Sequence, residues 1–362
     1  MGASNSRFLR ETLNDLIVDP SSVVETKENI GTGSYGEVVV VRVNGLRCAC
    51  KKLHEALTST ITRENIVVHR FVKECETMSK LQHPHIVQFL GVHFGQSSIP
   101  SLIMELLPTN LGNFLEKYEN VPSYVKHSVL FDVSLGLLYL HQYKPPIIHR
   151  DLTVNNILLT RSLKAKITDL GVARTLNFTH TQRQSPAMSI CPGTQSAMPP
   201  EAFGNHPKYD AKLDIFSFGH IVVHVAIQRW PLPLEENYVD PVTNEDLHRT
   251  EIERREEYIL AMGSDNPLHD LAVSCLQNDP TQRPTTKKLV RKMEQIYAKT
   301  PPPYSDLMEA IQKIDDLSAR VNDLNCQIEE KNSVLQKLEN QVEAEKFIAQ
   351  PAAAGRPTVE VS

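Results

Sequence analysis

The sequence predicts an α+β fold with two lobes, a strand-rich N-terminal lobe and a larger helical lobe, followed by a separate C-terminal helix. From residue 23 to about 102 the chain is rich in strand-forming residues and has one helical segment. From about 108 to 297 helical patterns dominate. Two of them, which begin near Ser128 and Asp214, are apolar on every face, as is typical of helices buried at the centre of a lobe. Further on, apolar residues recur every seven positions.

These patterns define the expected organisation of the chain. The proline-rich stretch PPPY at 301–304 marks a break between the two-lobed domain and the heptad segment. The predicted parts are a polar N-terminal arm (1–22), the domain (23–297, with lobes at about 23–104 and 108–297), a linker (298–306), a coiled coil (307–348) and a disordered tail (349–362).

Composition excludes several classes of protein. The 362 residues carry a formal net charge of −5, so no basic surplus is available to neutralise nucleic-acid phosphates, and no nucleic-acid partner is expected. The six cysteines show no paired CxxC spacing, which indicates free thiols in a reducing, cytoplasmic compartment. No apolar run approaches the roughly 20 residues that are needed to span a bilayer.

The N-terminus matches a lipidation pattern. MGASNS places Gly2 and Ser6 as the myristoylation signal requires, although a flexible polar terminus could match by chance. One myristoyl chain binds a membrane only marginally. The expected location is therefore cytoplasmic, with weak contact at the inner face of a membrane through myristoyl-Gly2.

The heptad segment predicts a parallel homodimer through residues 307–345. Branched residues predominate at the a positions and leucine is frequent at d, which favours two parallel strands. The alternative is an amphipathic helix that folds back on the domain. Lys331 occupies a d position and is the weakest point of the predicted coil. The a positions are Leu307, Ile314, Val321, Ile328, Leu335 and Val342.

A glycine-rich stretch opens the strand-rich lobe. Gly31, Gly33 and Gly36 form a GxGxxG, a motif that dinucleotide-binding folds also contain when the glycines precede a helix. Here they run into the β-branched strand 37–43 and then into Asn44-Gly45, a strong hairpin-turn signal. The sequence therefore favours a glycine-rich hairpin whose backbone amides lie over phosphates.

A lysine and a glutamate are expected to form a pair. Lys51 shares a face of the returning strand with Ala49, and Glu74 lies on the same helical face as Phe71 and Met78. An inward lysine and an inward carboxylate suggest an ion pair that also holds phosphate. Either residue alone would more often be a solvated surface charge.

Three polar residues in the helical lobe suggest phosphoryl transfer. Asp151 and Asn156 flank a short loop before an apolar strand, and Asp169 ends a later strand. Asn156 and Asp169 supply the oxygen ligands that Mg²⁺ prefers when phosphates complete its shell. Asp151 is then left to accept the proton of a hydroxyl.

The ordered set of motifs resembles a eukaryotic protein kinase domain over residues 24–297, about three quarters of the chain. Any one of the motifs is weak, but their order leaves little room for chance. They are GTGSYGEV, ACK with Glu74, HRDLTVNN, DLG, MPPE, DIFSFG and DPTQRPT.

The resemblance implies a bilobal kinase fold that binds ATP and Mg²⁺ and acts on protein substrates. It implies that Lys51, paired with Glu74, holds the α- and β-phosphates, that Asp151 is the catalytic aspartate, and that Asn156 and Asp169 hold Mg²⁺. It also implies an ion pair between Glu201 and Arg283 and a brace on the catalytic loop from Asp214. The residues implied to contact ATP are Ile30, Gly31, Thr32, Gly33, Ser34, Tyr35, Gly36, Glu37, Val38, Ala49, Lys51, Met104 as gatekeeper, Glu105 to Leu107 as hinge, and Leu158.

The type of kinase is indicated less clearly. GTQSAMPPE at 193–201 is similar to the GTxxYMAPE of tyrosine-kinase-like serine/threonine kinases. However, Thr153 stands where serine/threonine kinases have lysine, and Thr153-Val154-Asn155 replaces the AAR of tyrosine kinases. A serine/threonine kinase is predicted. The alternatives are a tyrosine or dual-specificity kinase, or a pseudokinase scaffold that works through the coiled coil.

Regulation by phosphorylation is a further hypothesis. Arg150 directly precedes Asp151 and is available to pair with a phosphorylated loop. An ordinary polar loop without a switch is the alternative. The candidate sites are Thr175, Thr179, Thr181, Ser185 and Ser189, with Thr181 and Ser185 favoured.

Overall fold

The fold is described from a computed structural model, which divides the chain into two compact units at residues 1–301 and 302–362. The structure describes residues 9–32, 36–53, 66–95, 100–170, 174–175, 199, 201, 210–228, 255–300 and single positions between 313 and 331.

The N-terminal lobe contains a five-stranded antiparallel sheet in the order β1-β2-β3-β5-β4. Valines fill the centre of β2, where Val40 and Val41 are almost completely buried, because β-branched side chains pack well on a pleated surface. The strands are β1 (Val23–Thr32), β2 (Gly36–Val43), β3 (Leu46–Leu53), β4 (Phe89–His93) and β5 (Ser101–Glu105).

The predicted turn between β2 and β3 is present. Asn44 has a φ of 50° and Gly45 a φ of 83°, the left-handed conformation that a two-residue hairpin turn requires at both positions. The tight turn fixes the register in which Val38 lies opposite Lys51 and Val40 opposite Ala49.

Helix α1 (Ile66–Met78) is the helical segment expected in this lobe. Phe71, Glu74 and Met78 are all buried, so the face predicted from their spacing does point inward.

Residues 9–22 differ from the expected polar arm. Leu9 and Leu13 are buried in the main core, Ile17 forms a parallel bridge with Val92, and the Val18 amide donates to the Val92 carbonyl at 2.9 Å. The leucines lie four residues apart, a helical spacing that the composition of the segment obscured. Residues 1–8, including Gly2 and Ser6, lie outside the described residues.

The C-terminal lobe consists mainly of helices. It also contains a three-stranded sheet in the order β6-β8-β9 and a two-stranded sheet of β10 and β7. The helices are α2 (Leu111–Lys117), α3 (Ser123–Gln142), α4 (Ala211–Ile227), α5 (His269–Cys275) and α6 (Thr286–Ala298), with a further helical stretch at 255–262. The strands are β6 (Thr109–Asn110), β7 (Ile147–Ile148), β8 (Ile157–Leu159), β9 (Ala165–Ile167) and β10 (Arg174–Thr175).

The two helices predicted to be apolar on every face are α3 and α4, and both are buried on several sides. Asp210 caps α4 by accepting from the Lys212 amide at 2.7 Å, and Gln228 ends the helix in a left-handed conformation. Helices α3 and α4 also contact each other within the C-terminal lobe.

The second unit is described at a few positions only. Ile314, Leu317, Val321, Leu324 and Ile328 are helical, and each is more than half exposed. The linker, the tail and the remaining heptad positions lie outside the described residues. None of the helices among the described residues is both long enough and apolar enough to cross a membrane.

Candidate active site

Three charged side chains from distant parts of the chain meet at one point. The Lys51 ammonium donates to Glu74 at 2.9 and 3.2 Å, so the predicted ion pair is present. The same nitrogen donates to Asp169 Oδ1 at 2.9 Å, although Asp169 is 118 residues away in the sequence. Strand β3, helix α1 and the residues that follow β9 therefore converge on one amine.

The electrostatics of this cluster keep Lys51 charged. Burial alone would lower the pKa of Lys51, but the carboxylates of Glu74 and Asp169 more than offset that effect, so its pKa lies above the ordinary value. Burial raises the pKa of Glu74, and the charge of Lys51 opposes that shift. Glu74 is only 4% exposed, whereas the Asp169 side chain is 43% exposed. Asp169 is thus the partner that a ligand can reach.

The backbone of Asp169 adopts an unusual conformation. It follows β9 with a φ of 61°, a left-handed conformation that is uncommon for residues other than glycine. The Thr168 amide donates to the Asn156 carbonyl at 3.0 Å, and the Thr168 carbonyl contacts His149 Nε2 at 2.8 Å. These contacts tie the segment of Asp169 to the segment of Asp151 and Asn156.

Asp151 and Asn156 lie close together in the loop between β7 and β8. The Asn156 amide nitrogen donates to the Asp151 carbonyl at 2.8 Å, and it lies 3.5 Å from Asp151 Oδ2. The amide nitrogen of Asn156 is thus used as a donor within the loop. The side-chain oxygen, Oδ1, is the atom that can act as a metal ligand.

Asp214, in α4, forms hydrogen bonds with the backbone of this loop. It is completely buried and accepts from the His149 amide at 2.8 Å and the Arg150 amide at 2.9 Å. Burial alone would raise the pKa of Asp214, but the hydrogen bond from His141, assisted by the loop, holds it below the ordinary value. Asp214 is therefore a carboxylate that pins the two residues preceding Asp151.

The residues predicted to enclose the base lie on β2, β3, β5 and β8. Ala49 is opposite Met104 across β3 and β5, and both side chains are buried. Val38 and Leu158 are half-buried and pack against the main core. The carboxylate of Glu105 is engaged within the protein, since it accepts from Lys166 at 2.6 Å and from the Gln88 amide at 2.7 Å. These two contacts hold the Glu105 side chain in place at the start of segment 105–107, which connects the two lobes.

The glycine-rich turn is described at its two ends. Thr32 ends β1 opposite Glu37 of β2, and Ile30 is exposed. A side chain at Gly31 would meet no atom of the described residues within 4 Å. Gly33, Ser34 and Tyr35 lie outside the described residues.

The predicted pair of Glu201 and Arg283 is also present, deep in the helical lobe. Arg283 donates to both oxygens of Glu201 and to the carbonyls of Gln277, Lys212 and Asn278. All five of its donors are therefore used within the lobe, which is typical of a structural ion pair.

The candidate regulatory segment is described in two short pieces. Thr175 lies in β10, which pairs with β7 just before the catalytic loop. Thr179, Thr181, Ser185 and Ser189 lie outside the described residues, as does most of GTQSAMPPE.

Sequence reasoning missed two residues that support the site. His141 contacts Asp214 Oδ2 through Nε2 at 2.7 Å, and Lys166 fixes Glu105. His141 gave no signal because a lone histidine on an apolar helix is more often a core residue. Lys166 sits in a strand of three residues, where the alternation of faces is too short to interpret.

The fold has two lobes, and three charged side chains from distant segments converge within it. Residues 24–293 match the protein kinase domain family, and the chain belongs to that family.

Curated relatives match over the same region. The chain is 29% identical to "Serine/threonine-protein kinase VIK" of Arabidopsis thaliana over 74% of this chain and 58% of that protein. It is 29% identical to "Probable serine/threonine-protein kinase kinX" of Dictyostelium discoideum, over 74% of this chain and 23% of that protein. It is 26% identical to "Dual specificity protein kinase shkC" of the same organism, over 75% of this chain and 51% of that protein. The chain thus spans between about a quarter and three fifths of these relatives.

Proposed function

We propose that this chain is a Mg·ATP-dependent protein kinase that phosphorylates serine and threonine hydroxyls. The observation that carries the proposal is the Lys51 ammonium held at 2.9 Å from both Glu74 and Asp169. A buried cation next to an accessible carboxylate suits a triphosphate and its metal ion, since the phosphates bind the cation and the carboxylate binds the metal.

Asp151 takes the role of catalytic base. The hydroxyl oxygen of the substrate attacks the γ-phosphorus of ATP, its proton passes to an Asp151 carboxylate oxygen, and the bond to the β-phosphate oxygen breaks to leave ADP. The hydrogen bond from Asn156 to the Asp151 carbonyl holds the loop during this step. Lys51 binds the α- and β-phosphates, and Glu74 keeps its ammonium in place.

Asn156 and Asp169 fit a magnesium site. Both offer hard oxygen ligands, and the Asp169 carboxylate is accessible. Bound Mg²⁺ would neutralise charge on the phosphates. The chain's own part is to present the Asn156 oxygen and the Asp169 carboxylate, which lies 2.9 Å from the Lys51 ammonium.

The preference for serine and threonine rests on two observations. The segment GTQSAMPPE is similar to that of serine/threonine kinases, and the names of two of the relatives describe that activity. A dual-specificity kinase is the second candidate. It is favoured by the absence of the usual cation at Thr153 and Asn155 and by the name of the third relative.

The test is an assay of the full chain with Mg·ATP and a mixed peptide library, read by mass spectrometry. We expect phosphate on serine and threonine, and a loss of about 10³-fold for Asp151→Asn, because a general base contributes about 10²–10⁴-fold. Transfer that survives Asp151→Asn undiminished would disprove the assigned role. A folded wild-type protein that binds ATP without any transfer would make it a scaffold.

Activation by phosphorylation of the segment between Asp169 and Glu201 is part of the proposal. A phosphate at Thr181 or Ser185 would pair with Arg150 and order the segment near the catalytic loop. Alanine at both positions should then lower the activity of autophosphorylated protein and leave that of dephosphorylated protein unchanged. Equal loss in both forms would contradict this role.

A parallel homodimer through residues 307–345 is supported by the exposed apolar stripe. Ile314, Leu317, Val321, Leu324 and Ile328 follow the a and d positions, and each is more than half exposed in the single chain. Light scattering should give twice the monomer mass for the wild type and the monomer mass for Leu324→Asp. Disulfide trapping through a cysteine placed at an a position would separate parallel from antiparallel pairing.

A cytoplasmic location with weak membrane contact through myristoyl-Gly2 completes the proposal. Two acylated chains in a dimer would bind a membrane more firmly than one. Flotation with anionic vesicles should recover the co-expressed, acylated protein and leave Gly2→Ala in solution. Equal recovery of both proteins would reject the anchor.

A further inference from the structure

A buried histidine joins the last helix of the domain to the residue that holds the catalytic loop. His141, at the end of α3, contacts Thr286 Oγ1 through Nδ1 and Asp214 Oδ2 through Nε2, both at 2.7 Å. The His141 side chain is only 5% exposed, Asp214 is completely buried and Thr286 is 7% exposed. Water therefore cannot easily replace any member of this chain of contacts.

The contacts continue from Asp214 to the backbone of Arg150, which is strained. Asp214 accepts from the amide of Arg150, whose φ is 72°, a left-handed conformation that persists only where surrounding contacts impose it. Asp151 follows directly. A small rotation of the Asp214 carboxylate would therefore move the residue proposed as the base.

We infer that Thr286 is a positioning residue for the proposed phosphoryl transfer, acting through His141 and Asp214. The inference rests on the proposed function. A carboxylate only accepts hydrogen bonds, so His141 must carry its proton on Nε2 in order to donate to Asp214. In neutral imidazole Nδ1 is then an acceptor, and the Thr286 hydroxyl donates to it. The hydroxyl thereby selects the tautomer that orients Asp214.

The same two helices provide a matched control at their other end. His127 of α3, also buried, contacts Thr300 Oγ1 through Nδ1 at 2.7 Å. This contact also joins a histidine of α3 to a threonine hydroxyl, although Thr300 lies just after α6 and its hydroxyl also donates to the Ile296 and Tyr297 carbonyls. The described contacts of His127 do not include Asp214. Loss of the Thr300 hydroxyl should thus affect packing between the helices without affecting the catalytic loop.

Steady-state kinetics of the full chain provide the first test. Thr286→Val keeps the shape of threonine and removes the hydroxyl. We expect kcat to fall about 5-fold, the rate equivalent of one hydrogen bond, while the KM for ATP stays unchanged. Thr286→Ser should restore kcat, and Thr300→Val should keep it. Equal kcat in Thr286→Val and wild type, or an equal loss in Thr300→Val, would overturn the inference.

The tautomer of His141 is the second readout, and it requires no activity. In protein with ¹⁵N-labelled histidine, the His141 ring should carry its proton on Nε2 in the wild type and in Thr286→Ser, and should lose this uniform state in Thr286→Val. A wild-type ring protonated on Nδ1 or on both nitrogens would disprove the inference even if Thr286→Val did not fold. If Asp151→Asn kept full activity, the proposed function would fail while the tautomer result stood.

Discussion

Two ion pairs of similar chemistry serve different ends in the two lobes. In the N-terminal lobe Lys51 shares its ammonium between Glu74 and Asp169, and Asp169 is 43% exposed. In the C-terminal lobe Arg283 binds Glu201 with a side chain that is completely inaccessible and stacked 4.7 Å from the Phe216 ring. A ligand can exchange with the first arrangement and cannot reach the second. A buried ion pair is therefore a candidate binding site only where one partner remains accessible.

The largest expected effect comes from replacing Arg283, whose ion pair with Glu201 is buried. Arg283→Met would remove the partner of the Glu201 carboxylate and the Arg283 donors to three backbone carbonyls, so we expect the free energy of unfolding to fall by about 3–5 kcal/mol. Denaturant unfolding measures this. The matched control is Arg47→Met, because Arg47 and Glu28 form a pair that is about half exposed on each side. The control should cost about 0.5 kcal/mol. Similar costs for both variants would remove the distinction between the two kinds of pair.

A substitution in the accessible pair of Lys51 and Asp169 should affect activity rather than stability. Asp169→Asn keeps the Lys51–Glu74 contact and removes the negative charge of a proposed metal ligand, so phosphate transfer should fall about 10³-fold with little change in stability. The comparison variant is Asp270→Asn, which makes the same change of side chain at a position that is 98% exposed and has no proposed role in the reaction. A magnesium titration checks the cause. Wild-type activity of Asp169→Asn at low magnesium would show that this carboxylate does not hold the metal.

A smaller loss of stability is expected at low pH, and it arises in the C-terminal lobe. Burial lowers the pKa of His220 to about 3 and that of His224 to about 4. Both histidines are neutral in the folded protein, whereas the unfolded chain binds protons below pH about 6.5. Stability is therefore fully present above about pH 6.5 and is lost as the pH falls towards 4, by about 2 kcal/mol at pH 5 for His220 alone.

Replacing His220 tests this origin of the acid sensitivity. We expect the melting temperature of His220→Leu to fall less than that of the wild type between pH 7 and pH 5. Parallel curves for the wild type and His220→Leu would contradict the assignment.

Much of the fold and the site was predictable because the signals are local. The hairpin at Asn44-Gly45 and the inward face of α1 each depend on a few adjacent residues. The polar residues proposed to act on ATP were also recognised from their motifs. These features required only periodicity, turn chemistry and the order of the motifs along the chain.

The missed features are those that depend on distant partners. Leu9 and Leu13 looked like isolated apolar residues in a polar segment, yet they are buried against the core. His141 and Thr286 are 145 residues apart and meet because α3 packs on α6. A single sequence indicates the face of a helix but not the helix that will cover it.

The sequence by itself determined which side chains of this kinase-family protein carry charge, which strands and helices present them, and which segments begin and end at turns. The tertiary structure alone decided that the Lys51 amine reaches two carboxylates, that one of these stays accessible, and that Thr286 of the last helix meets His141 beside Asp214. The physical reason is that backbone preference acts over a few residues, whereas the partner of a buried polar group is set by the packing of elements that are far apart in the chain.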